Sequence, residues 1–122
     1  MDGNWHHVVL TKSTGSSLAA GDFHIYVDGN DEALDVTCDS LSSSYVTSAE
    51  FILASNDGGG YELAGKIDDV SVYDDELSQA EVTAIYNSGE PVDNRLLSSS
   101  GNLVGYWRMG DNATSPTIPD DS

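Results

Sequence analysis

Residues 65–73 read GKIDDVSVY, and this stretch decides the fold that the rest of the sequence is expected to adopt. Its β-branched and aromatic residues, with the four residues before them, predict either one long β-strand over 61–73 or a bent pair of strands around Gly65. Residues 5–12 (WHHVVLTK) and 22–28 (DFHIYVD) predict two further strands. The sequence DGND that follows at 28–31 is typical of a hairpin turn, because Gly and Asn accept positive φ angles. The first half of the chain is therefore predicted to be antiparallel β-structure.

The remaining pattern predicts short strands and one helix. Further strands are expected at 33–38, 50–55 and 103–109. Between them, Ser78 followed by Glu81 forms a capping-box signature that predicts a helix over about 78–88, with Gly89 suited to its C-terminal end. Among the aromatic residues, we expect Trp5, Phe23 and Phe51 to lie in the core.

The order of four motifs resembles a known family. These are WHHV at 5–8, IYVDG at 25–29, GKIDDVSVY at 65–73, and a final one, LSQAEV at 77–82, that continues to Ile85 and Tyr86. In order and spacing they resemble a laminin G-like domain of the concanavalin A-like lectin/glucanase superfamily. The resemblance implies an all-β, antiparallel jelly-roll β-sandwich with one short helix.

The two ends of the chain depart from that family. The segment LVGYWRMGD at 103–111 resembles a motif that normally opens such a domain, yet here it comes last. We therefore predict a partial or permuted laminin G-like domain over residues 1–110, with 111–122 an acidic tail or the start of a next segment. The sandwich is expected to be either incomplete or completed by a neighbouring chain. The same segment resembles laminin G-like parts of marine bacteriophage virion proteins, which implies a virion or extracellular location.

Charge and composition limit the classes of partner that we expect for this chain. Four basic and 21 acidic residues give a formal net charge of −17, which argues against nucleic acid as a partner. No apolar run is long enough for membrane insertion. One cysteine, Cys38, allows no internal disulfide. The partners that we expect are other subunits of a virion or surface protein, in an oligomer or a larger chain.

Two loops carry the candidate ligand-binding residues. Calcium prefers oxygen ligands that converge from loops, and the candidate metal ligands are Asp57 in one loop and Asp28 and Asp31 in the other. Turn formation is the structural alternative for these residues. Exposed aromatic side chains provide stacking platforms for sugars, so the ligand-binding candidates are Tyr61, Tyr45 and Asn56.

The carboxylates do not predict an enzyme. Glycoside cleavage needs two carboxylates held across the scissile bond, whereas Asp68 and Asp69 are adjacent and point to opposite faces of a strand. A Gly-x-Ser-x-Gly motif is absent from the sequence. The leading prediction is a non-catalytic binding or assembly module that recognises glycans with calcium. The alternatives are a purely structural capsid decoration or fibre subunit, and a carbohydrate-binding module attached to an enzyme.

Overall fold

The fold is mostly β, with two antiparallel sheets and one short helix in a computed structural model that describes residues 2–13, 15, 19–35, 51–55, 62–110 and 118–122. The first sheet contains β1 (Val8–Lys12), β2 (Phe23–Val27) and β3 (Asn30–Glu32), in that order. This architecture is consistent with a concanavalin A-like sandwich.

The hairpin between β2 and β3 is tighter than the sequence suggested. Asp28 and Gly29 form a two-residue turn with φ values of 50° and 78°, which is the backbone sign that a two-residue hairpin requires. The return strand therefore starts at Asn30, and the prediction of a strand at 33–38 is wrong for its described part, 33–35, which is not in a strand.

The second sheet pairs β4 (Val70–Tyr73) with β5 (Leu103–Trp107). Residues 62–69 and 51–55 are not in strands, so the strands predicted at 61–73 and 50–55 were too long or wrong in their described parts. Tyr106 is fully buried, and its hydroxyl donates a hydrogen bond to Asp69 Oδ1 at 3.0 Å. Asp69, rather than Asp68, is thus the carboxylate that accepts a hydrogen bond from a buried side chain.

The single α-helix, α1 (Gln79–Tyr86), begins where the capping box predicts. The Ser78 side chain accepts a hydrogen bond from the Glu81 N–H, and the Glu81 carboxylate accepts one from the Ser78 N–H. The helix ends at Tyr86, two residues before the predicted end at 88, because Asn87 rather than Gly89 takes the left-handed conformation, at φ 44°. A short polar side chain tolerates this conformation better than most residues.

The core lies between the helix and one face of the first sheet. It is formed by Tyr26 from β2 and by Leu77, Val82 and Ile85 from the helix region, with Val9, Tyr73 and Leu97 packed around them. The expectation that Trp5 and Phe51 are core residues is wrong, since they are 65% and 66% exposed. The core forms on the face of the first sheet that carries Tyr26, and neither Trp5 nor Phe51 belongs to it.

Candidate functional site

Two features of the described residues are candidates for function, and both belong to the first sheet. One is a junction of histidine and aspartate side chains where β1 begins. The other is the face of the sheet that points away from the helix.

The junction is centred on His6. Its Nδ1 lies 2.8 Å from Asp28 Oδ2, and its Nε2 lies 3.0 Å from Asp2 Oδ2. A neutral imidazole can donate only one hydrogen bond, whereas carboxylates only accept. Both nitrogens must donate if both contacts are hydrogen bonds, so the site favours the protonated form of His6.

The pKa values of these groups follow from the contacts. The hydrogen bond to Asp28, followed by the one to Asp2, raises the pKa of His6 above its ordinary value. The pKa of Asp28 is lowered by His6 and by the N–H of His7. Asp2 has a pKa lowered to about 2, first by the N–H of Asn4 and then by His6.

His7 points to the other side of β1, as expected for adjacent residues of an extended chain. Its ring stacks on Tyr86 with centroids 5.9 Å apart, and burial lowers its pKa. Its N–H donates to Asp28 Oδ1 at 3.0 Å, while its carbonyl accepts from the Asp28 N–H at 2.9 Å. Asp28 thus joins the start of β1 to the hairpin turn.

The helix completes this junction. Gln79 Nε2 donates to the carbonyl of Gly29 at 2.7 Å. A Cβ atom at Gly29 would lie 2.9 Å from the Tyr86 ring, so a glycine lets turn and helix approach each other. The arrangement ties together the segment before β1, the hairpin turn and the helix.

The two predicted metal ligands within the described residues, Asp28 and Asp31, have different hydrogen-bond partners. Asp28 binds His6 and His7, whereas the Asp31 carboxylate lies 3.3 Å from His24 Nδ1. Among the described residues, no group of three or more His, Cys, Asp or Glu side chains could hold a metal ion. Four predicted site residues lie outside the described residues: Asp57, Tyr61, Tyr45 and Asn56.

The face that points away from the helix was not predicted as a functional surface. The register pairs Val8 with Val27, Leu10 with Ile25 and Lys12 with Phe23. Because side chains alternate, these residues share one side of the sheet with two residues of β3. We call this side the open face; its members are Val8, Leu10, Lys12, Phe23, Ile25, Val27, Asn30 and Glu32.

The open face is apolar and accessible. Val8 and Leu10, on the edge strand β1, are 64% and 66% exposed, and Phe23, Ile25 and Val27 on the central strand β2 are half-buried. The sequence signal for this face was the alternation in β2, which places Phe23, Ile25 and Val27 on the same side of the strand. A shallow depression of about 420 Å³ borders it, lined by Phe23, His24, Asp31 and Leu34 among others. No described helix is long and apolar enough to cross a membrane.

These features define the class of the protein first: it is a mostly β domain with two antiparallel sheets and one short helix. Residues 1–83 match the sequence profile of a laminin G family described as the concanavalin A-like lectin/glucanases superfamily. This match covers more than half of the chain, and the chain belongs to that superfamily. No curated protein and no solved structure matches the chain significantly.

Proposed function

We propose that this chain is a non-catalytic binding and assembly module of a virion or another extracellular surface protein. Laminin G-like domains are generally binding modules, and membership of that superfamily supports the proposal. The observation that carries it is the open face, because an exposed apolar sheet surface on an otherwise very acidic domain is typical of an interaction site.

The chemistry of the junction supports a binding role rather than a catalytic one. A catalytic histidine exchanges a proton with a substrate and needs a nitrogen free to do so. Both nitrogens of His6 instead bond to carboxylates, at 2.8 Å and 3.0 Å. We interpret His6 as a structural cation that joins the segment before β1 to the hairpin.

A purely structural role in a capsid or fibre is the second candidate, and the same open face favours it. The two candidates differ in whether the chain also recognises a glycan with calcium. The support for glycan and calcium comes from the sequence: Tyr61, Tyr45 and Asn56 for the sugar, and Asp57, Asp28 and Asp31 for the cation. A glycan array in the presence of calcium or of a chelator separates the two, because a structural subunit binds no glycan under either condition.

The experiment that tests the open face as an interaction surface uses a fluorescent dye for exposed apolar surface. We expect the dilute full chain to bind 1-anilinonaphthalene-8-sulfonate and Leu10→Asp to lose most of that signal. The control is Val104→Asp, because Val104 is 51% exposed on β5 of the second sheet. Circular dichroism must show that both variants are folded. A wild-type chain that binds no dye would contradict the proposal.

A further inference from the structure

Within the part of the chain that the structure describes, only one of the two sides of the first sheet is packed against another element. The side that carries Tyr26 is covered by α1, while Val8 and Leu10 on the other side stay in water. Sheets with an apolar face are stabilised by a second layer, which in sandwiches is another sheet about 10 Å away. The shape required of the missing layer is therefore a second pleated sheet with an apolar face.

We propose that the open face packs against the open face of a second copy of this chain, so that two three-stranded sheets form the two layers of one sandwich. This inference rests on the proposed function and names the partner of that surface. An identical copy offers a complementary layer, because the face is a regular pleated surface whose central residues are all aliphatic or aromatic.

The distribution of charge favours association of a second copy at this face over the rest of the surface. The whole chain has 21 acidic and four basic residues, so most of its surface repels another copy. The open face differs, because its only ionisable members are one cation, Lys12, and one anion, Glu32. Two copies can therefore meet here without a net like-charge contact within the face, although the two whole chains still repel each other.

The positions of these two charges are also complementary. Lys12 lies on β1, where its Nζ donates to the carbonyls of Ser13 at 2.8 Å and Gly15 at 3.0 Å. Glu32 lies on β3 at the opposite edge of the sheet, with β2 between them. A two-fold axis parallel to the strands places β1 of one copy over β3 of the other. Lys12 pairs with Phe23 and Glu32 with Ile25, so the two charges differ by two residues along the strands. The offset of roughly 7 Å lies within reach of a lysine side chain.

The size of the face sets the expected strength. Five residues along the strands and three strands across give roughly 17 Å by 14 Å, which is small beside the ~800 Å² per partner of a standard interface. We therefore expect reversible dimerisation with a dissociation constant on the order of tens of micromolar. Raising the salt concentration is expected to tighten the dimer, because salt screens the repulsion between two chains of charge −17.

The test is the mass of the full chain by light scattering and sedimentation velocity, from about 1 µM to about 300 µM around the expected dissociation constant. The expected result is a rise from 12.9 kDa to twice that value. Leu10→Asp is expected to weaken the dimer at least tenfold, and Val104→Asp to leave it unchanged. Lys12→Glu should weaken it several-fold, and adding Glu32→Lys to that variant should restore it.

The dye measurement separates failure of this inference from failure of the proposed function. A chain that stays monomeric but binds dye through Leu10 overturns the second copy and leaves an open face for another partner. A chain that stays monomeric and binds no dye overturns both. A dimer that Val104→Asp breaks and Leu10→Asp does not would place the interface elsewhere and also overturn the inference.

Discussion

The two faces of the first sheet both carry large apolar side chains, yet these side chains have different environments. On the helix side, Tyr26 is 6% exposed and packs on Val82, which is fully buried. On the open face, Leu10 is 66% exposed although it lies next to Val9 in the same strand. The comparison shows that hydrophobic alternation marks a strand, whereas the neighbouring elements decide which of its faces becomes the core.

The largest effect that separates the two faces is expected from truncating the core. Ile85→Ala removes a buried side chain of α1, and such a change costs about 2–4 kcal/mol of unfolding free energy. Leu10→Ala on the open face is the matched change and should cost less than about 1 kcal/mol when the chain is dilute. Denaturant unfolding at low micromolar concentration measures both. Equal losses would mean that the open face is covered within the chain.

The next effect concerns the contact between hairpin turn and helix. Gly29→Ala places a Cβ at a residue with φ 78°, 2.9 Å from the Tyr86 ring, and we expect a loss of about 1–2 kcal/mol. Gly21→Ala is the control, because a Cβ there meets nothing within 4 Å. Thermal unfolding of the two variants makes the comparison; an unchanged midpoint for Gly29→Ala would show that turn and helix are not tightly packed.

A smaller effect is expected at the start of the helix that covers the sheet. Ser78→Ala removes the side chain that caps the Glu81 N–H and should cost about 1 kcal/mol. Ser78→Thr retains a hydroxyl and should recover most of the loss. Unfolding curves for both variants test this, and equal stabilities would show that the cap contributes nothing.

The smallest effect is the pH dependence of the junction beside the open face. The raised pKa of His6 means that its contribution is complete below its unfolded value of about 6.5 and is lost as pH rises through the folded pKa. Burial lowers the pKa of His7, so its contribution has the opposite sign and is lost as pH falls. His6→Gln should therefore remove the alkaline loss of stability.

The control for this pH effect is His24→Gln, which leaves the contacts of His6 in place. Thermal midpoints between about pH 5 and pH 9 cover the range in which histidines titrate. An unchanged pH profile in His6→Gln would show that His6 does not hold the segment before β1 against the hairpin.

The sequence predicted the local structure better than the environment of each face. The capping box at Ser78 and Glu81 located the helix, because its signal is contained in four neighbouring residues. The tight turn at Asp28 and Gly29 was recognised as a turn, yet its two-residue length decided where β3 begins, and alternation alone could not give that length.

The site was predictable only in part, since its geometry depends on distant residues. Asp28 was singled out for its oxygen atoms, but its partners are histidines 21 and 22 residues earlier in the chain. Nothing in the local pattern of DGND distinguishes a carboxylate that binds a metal ion from one that binds a protonated histidine side chain. The exposure of Leu10 likewise depends on which elements pack on its face, and no local sequence feature records that none of the described elements does.

The pairing of Tyr106 with the last residues has a consequence for the second sheet. The Tyr106 N–H donates to Asp120 Oδ1 at 2.8 Å, and its carbonyl accepts from the Asp121 N–H at 2.7 Å. These are the backbone groups that an outermost strand would otherwise offer to a strand of another molecule. The segment at 118–122 therefore occupies hydrogen-bonding groups of β5 that could otherwise pair with a strand of another molecule. Its carboxylates also add negative charge at this edge, which disfavours edge-to-edge aggregation of copies of this acidic chain.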